Sequence, residues 1–131
     1  MSSDSSEASP CIADLGAAEL LSSTSATSDV KIGTPGYMAP KIILHQPSGL
    51  PSDIWSFGVI IFALLVGDVP FWHEDRRVRN SLICDRKIDF NVKLAHCSES
   101  LRDLVSHMLE KSPSARPTIQ QVLDYPWMAG E

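Results

Sequence analysis

Apolar positions are densest between residues 53 and 67, read Asp-Ile-Trp-Ser-Phe-Gly-Val-Ile-Ile-Phe-Ala-Leu-Leu-Val-Gly, where they fall on every side of a helical wheel. A helix of this kind belongs inside a fold, with the rest of the chain packed around it. Ser52 and Asp53 are good N-terminal residues and Gly67 stands where a left-handed cap ends a helix, so the pattern predicts a central helix over this run. The cleanest amphipathic pattern lies at residues 98–110, with Leu101, Leu104, Val105, Met108 and Leu109 on one face and Ser98 as N-cap. Residues 75–84 carry a helical stripe of Val78, Leu82 and Ile83. A last helix is expected to begin at Pro117 or Thr118, with Ile119, Val122 and Leu123 inward. Ile42, Ile43 and Leu44 suit a short helical turn, and Phe71 with Trp72 reads as a buried aromatic pair. The one strand expected is Cys11-Ile12-Ala13, delivering Asp14 to a turn at Leu15-Gly16.

Polar runs separate these elements. Residues 1–10 are polar and acidic, the composition of a tail that buries too little to offset its ordering entropy. Residues 22–28 hold six hydroxyl side chains in seven, which suits either a flexible linker or a phosphate acceptor. Pro35, Gly36 and Pro40 make residues 33–40 a convoluted loop, and residues 45–51, with two prolines and a glycine, form a turn into the central helix.

With 131 residues and 44% hydrophobic content, the chain is expected to form one ordinary domain. The formal charge of −5 and the lack of a basic stripe interleaved with aromatics argue against nucleic acid as a partner. Arg76, Arg77 and Arg79 form the one basic knot, read as a solvated helix face beside Glu74 and Asp75. A bilayer span takes about 20 apolar residues, and the central run is too short and is interrupted by Ser56 and Gly58. Cys11, Cys84 and Cys97 lack metal-ligand spacing and read as reduced residues. No basic segment followed by an apolar core opens the sequence, so the expected location is cytoplasmic or nuclear.

Taken in order, Asp14-Leu-Gly16, Gly33-Thr-Pro-Gly-Tyr-Met-Ala-Pro40, Asp53-Ile-Trp-Ser-Phe-Gly58, Gly67 with Pro70-Phe71, Arg116-Pro-Thr and Tyr125-Pro-Trp127 resemble the C-terminal lobe of a eukaryotic Ser/Thr protein kinase. Pro70-Phe-Trp-His73 and Leu101-Arg-Asp-Leu104 look most like the calcium/calmodulin-dependent group. The resemblance implies a mainly α fold, helices packed around a buried central helix with an irregular activation segment. It divides the chain into a tail or hairpin remnant at 1–10, a partial kinase domain at 11–128 and a tail at 129–131.

The same resemblance implies roles for matching residues. Asp14 corresponds to the carboxylate that holds magnesium bridging the ATP phosphates, with residues 17–32 as the activation loop. Gly33, Thr34, Pro35, Tyr37 and Pro40 correspond to the surface that positions the protein substrate, and Thr34 to the threonine beside the catalytic aspartate. Asp53, Trp55, Gly58 and Arg116 correspond to structural positions around the central helix, Asp53 to the one that bonds the catalytic loop.

Departures from the family limit what the 131 residues are expected to do. They contain no Gly-rich loop, no Val-Ala-Ile-Lys-like lysine and no His-Arg-Asp catalytic loop, so ATP and magnesium are expected to bind poorly and the chain alone to be inactive. The alternative is a non-catalytic binding module for a substrate or regulatory protein. Met1 is expected to be an internal methionine of a fuller kinase. Residues 14–32 are expected to be locally disordered, with Thr27 or Ser28 as the nearest candidate phosphate acceptors. Where kinases end the substrate-positioning loop in Ala-Pro-Glu, this chain reads Ala39-Pro40-Lys41, which sets a like charge against Arg116. Repulsion is expected if both point inward; the cheaper solution is Lys41 turned to solvent, with Arg116 left to backbone carbonyls or another carboxylate.

Overall fold

A computed structural model describes residues 9–21 and 33–130. Among them are six α-helices and two short 3-10 turns, at Leu15–Ala17 and Pro113–Ala115, and no strand. The helices are α1 (Pro40–Ile43), α2 (Leu50–Val66), α3 (Arg76–Asp85), α4 (Phe90–Lys93), α5 (Glu99–Met108) and α6 (Ile119–Leu123). The architecture is mainly helical around α2, as the pattern of apolar positions predicts. The expectations for residues 1–8, and for the hydroxyl-rich run with Thr27 and Ser28 at residues 22–32, lie outside the described residues.

α2 begins three residues before the expected start, capped by the extended Gly49 rather than by Ser52 or Asp53. Pro51 explains the difference: in the first turn its missing N–H is one the helix could not use, and its fixed φ suits helix entry. Gly67 ends the helix in the left-handed region at φ 82, with its N–H returned to the Ala63 carbonyl. Ile54, Trp55, Gly58, Val59 and Phe62 are buried. Phe57, Ile60 and Leu64, spaced to share one stripe, remain exposed, and Leu64 is 80% exposed.

The close crossing is with α5, which presents Leu101, Leu104, Val105 and Met108 inward. Gly58 makes it possible: a Cβ there would lie 2.9 Å from Met108 Cβ and 3.1 Å from Leu109 Cδ2. Two apolar clusters result. The larger joins Met38, Ile43, Trp55, Val59, Phe71, Ile83, Leu94 and Val105, and the smaller joins Ile54, Leu104, Met108 and Val122. Each such side chain contributes about 1.5–3 kcal/mol when fully buried.

Caps hold the shorter helices. Asp75 accepts from the N–H groups of Arg77 and Val78, Ser98 from Leu101, and Thr118 forms a reciprocal capping box with Gln121. Several inward assignments change. Val78 is exposed while Ile83 is buried, and in α6 only Val122 is buried, with Ile119 and Leu123 exposed. A five-residue helix makes little more than one turn, so a single position faces the core. The expected strand at residues 11–13 is irregular, and Ile12 is exposed.

Candidate functional site

Residues 33–40 fold against α2 by burying one end and freeing the other. Met38, Ala39 and Pro40 are buried, whereas Gly33, Thr34 and Pro35 are exposed. A turn joins the halves, with the Tyr37 N–H donating to the Thr34 carbonyl at 3.2 Å. Gly36 sits at φ 94, and a Cβ on it would meet the Trp72 ring at 3.4 Å, so glycine serves both the backbone angle and the close approach. Ser56 ties the loop to the central helix: its hydroxyl donates to the Tyr37 carbonyl at 2.8 Å. Ser56 is a polar residue inside an apolar run, and that anomaly was the available signal for the tether.

Phe71 and Trp72 separate rather than pair. Phe71 stacks on Trp55 with ring centroids 5.3 Å apart, while Trp72 is half exposed, between Gly36 and the Arg79 guanidinium at 5.4 Å. The Phe71 and Trp55 rings are also flanked by two cations. Lys111 Nζ lies 4.1 Å from the Phe71 centroid and donates to the Ile83 carbonyl at 2.8 Å, near the end of α3. Burial lowers its pKa to about 8. Lys111 carries no motif signature, and only the fold identifies it.

Arg116 is the buried cation of this hub. Its Nε donates to the Glu110 carbonyl at 2.8 Å, Nη1 to Pro51 at 2.9 Å and Nη2 to Lys111 at 3.1 Å, with the guanidinium 5.0 Å from the Trp55 ring. It thereby joins the first turn of α2 to the chain after α5. Burial lowers its pKa to about 10, opposed by the Glu110 carboxylate. Lys41 is not among the charges acting on it, and Lys41 has no ion-pair partner among the described residues. Of the outcomes expected for Arg116, the structure shows a guanidinium satisfied by backbone carbonyls rather than by another carboxylate.

Asp14 is differently placed. It is exposed in left-handed backbone at φ 58, and its carboxylate accepts from the Gly16 N–H at 3.2 Å, capping the Leu15–Ala17 turn. The residues after it reach the start of α2: Gly16, Glu19 and Leu21 share a cavity of about 390 Å³ with Gly49, Ser52 and Asp53. No cluster of three metal-ligating side chains occurs among the described residues. One carboxylate does not make a magnesium site, because that ion takes near-octahedral oxygen coordination. The described residues do not by themselves make up a magnesium site.

The sequence profile described as the protein kinase domain matches residues 3–128. The chain is 37% identical over 127 residues to serine/threonine-protein kinase PLK4 of Nematostella vectensis, covering 97% of this chain and 13% of that protein. It is 37% identical over 117 residues to the PLK4 kinase of Drosophila virilis, covering 89% of this chain and 15% of that protein. A probable myosin light chain kinase of Dictyostelium discoideum is 39% identical over 100 residues, 76% of this chain and 31% of that protein. The chain thus spans between 13% and 31% of the length of these relatives.

Proposed function

The chain belongs to the protein kinase family, and from that premise we propose that residues 11–128 are the helical, substrate-facing part of a Ser/Thr protein kinase domain, between segments 1–10 and 129–131. The family uses ATP and magnesium and acts on protein substrates, with catalysis resting on positioning and charge stabilisation. In this reading Gly33, Thr34, Pro35, Tyr37 and Pro40 form a ledge for the substrate segment. Asp53, Trp55, Gly58 and Arg116 belong to the scaffold behind it. Asp14 contributes to metal and nucleotide binding only together with further ligands. We propose also that the kinase is nearest the calcium/calmodulin-dependent group, on the strength of Pro70-Phe71-Trp72-His73 and residues 101–104.

The observation carrying the ledge assignment is the split of the 33–40 loop, its buried end built into the core and its exposed end held through the Ser56 bond to Tyr37. A second reading is a module that docks protein segments without transferring phosphate, in keeping with the lack of a three-residue metal-ligating cluster among the described residues. Incubation of the purified chain with magnesium-ATP and a basic serine peptide is expected to give no turnover and to shift the amide signals of residues 33–37. Turnover that disappears in Asp14→Ala overturns the non-catalytic reading. Unmoved amides at 33–37 under saturating peptide overturn the ledge.

A further inference from the structure

A second cavity, of about 250 Å³, opens between the ledge and α3. One wall is apolar, from Pro35, Met38 and Ile43, and the other carries Arg76, Arg79 and Asn80. Water occupies about 30 Å³ per molecule, so the space suits one side chain. Its composition is directional: an apolar stem can lie along the ledge while a polar head meets two guanidinium groups and an amide.

The positive charge is only loosely compensated: the Asp75 carboxylate feels Arg79 but forms no ion pair with it among the described residues. Neither Arg76 nor Arg79 has a carboxylate within ion-pair distance among the described residues. Asp75, the adjacent acid, is engaged as the cap of α3, accepting at 2.8 Å from Arg77 N–H and at 3.1 Å from Val78 N–H. Arg79 is also pre-positioned. Its Nη1 donates to the His73 carbonyl at 2.9 Å and its guanidinium lies over Trp72, whose ring rests against Gly36 of the ledge. Its Nε is buried and has no acceptor among the described residues. The remaining guanidinium donors of a side chain held in place match a carboxylate. The basic knot at residues 76–79 is therefore more than a solvated face at Arg79.

We propose that this cavity is an acidic-residue subsite, in which Arg79, with Arg76 and Asn80, binds the carboxylate of an Asp or Glu near the phosphoacceptor of a protein segment lying on the 33–40 ledge. The proposal rests on the ledge reading above and adds a substrate class to it.

The test uses the 131-residue chain and two sets of peptides, alike except that a Glu is placed at each of several positions after a serine in one set and Gln in the other. Binding is followed by fluorescence anisotropy, and by NMR of the backbone amides and the arginine Nε–H groups. The best Glu peptide is expected to bind about fivefold more tightly than its Gln partner at low salt, a difference of the size of one partly exposed charged hydrogen bond. The preference is expected to shrink with added salt. It is expected to vanish in Arg79→Gln and to fall in the milder Arg76→Gln, which alters an exposed side chain and leaves the Trp72 contact in place. Equal binding of both sets with shifts at residues 33–37 overturns the subsite and leaves the ledge standing. A Glu preference that moves the Arg79 Nε–H but not residues 33–37 overturns the ledge and the substrate assignment. Inorganic phosphate displacing the Glu peptide at micromolar concentration overturns the carboxylate assignment in favour of a phosphate site. No binding by either set overturns the proposal.

Discussion

Arg116 and Asp14 are both charged residues of the family pattern, yet they end in opposite circumstances. The guanidinium is buried beside Trp55 with three backbone carbonyls as acceptors, whereas the carboxylate is exposed and, among the described residues, accepts from Gly16 in its own turn. The difference lies in where partners come from. Arg116 is satisfied by carbonyls at Pro51, Glu110 and Lys111, all inside the described fold. A metal-binding carboxylate needs several further oxygens converging on one point, and the described residues supply no such cluster. Among the described residues Arg116 thus has its partners within the fold, and Asp14 has no further carboxylate or imidazole cluster beside it.

Removing the guanidinium should break the contrast most visibly. Arg116→Leu is expected to lower unfolding free energy by about 3 kcal/mol, since three buried carbonyls lose their donor. Asp14→Asn, which keeps a residue tolerant of left-handed backbone, is expected to change it by less than about 0.5 kcal/mol. Urea unfolding of both variants checks the pair, and equal losses would abolish the distinction. The α2–α5 crossing should be next in size. Gly58→Ala gains helix propensity of about 1 kcal/mol but forces a methyl against Met108, so a net loss of about 1–2 kcal/mol is expected.

The link between scaffold and ledge is a smaller effect. Ser56→Ala removes the bond to the Tyr37 carbonyl and is expected to cost about 1 kcal/mol. Amide exchange should accelerate across residues 33–37 more than in α5, and uniform acceleration would show that Ser56 acts on the whole fold. A pH series sharpens the hub itself. Lys111 falls from the ordinary value of 10.5 to about 8 because it is buried. Between those values the unfolded chain holds a proton that the folded chain has released, so this group's contribution to stability rises with pH from about 8 to 10.5. Wild type should gain on Lys111→Met over pH 8 to 10, as read from thermal midpoints, and a constant gap would contradict the buried ammonium. Least of all should come Lys41→Glu. With Arg116 already satisfied, the change is expected within about 0.5 kcal/mol, and a double-mutant cycle with Arg116→Leu should show coupling near zero. Strong coupling would restore the Lys41 clash that the carbonyl network replaces.

Legibility followed the range of the interactions involved. The left-handed cap at Gly67, the Ser98 and Thr118 caps and the face of α5 were readable, because each depends on residues within one or two turns. Trp72, Val78, Ile119 and Leu123 were misjudged because apolar character does not say whether a neighbour exists to cover it. The exposed stripe of Phe57, Ile60 and Leu64 shows the same limit within α2 itself. The order of motifs drew attention to residues 33–40 and to Arg116. It did not reveal Ser56 or Lys111 as ties, since their partners lie 19 and 28 residues away.

The chain by itself determined the helical class, the central place of α2, the irregular loop at 33–40 and the family, because periodicity, caps and motif order are properties of neighbouring residues and their sequence. Only the tertiary structure decided that Arg116 binds carbonyls rather than meeting Lys41, that Trp72 joins Arg79 to Gly36, and that two arginines line a cavity beside the 33–40 loop. A charge or ring has its energy set by what surrounds it, and those surroundings come from segments distant in the chain that meet only when the helices pack.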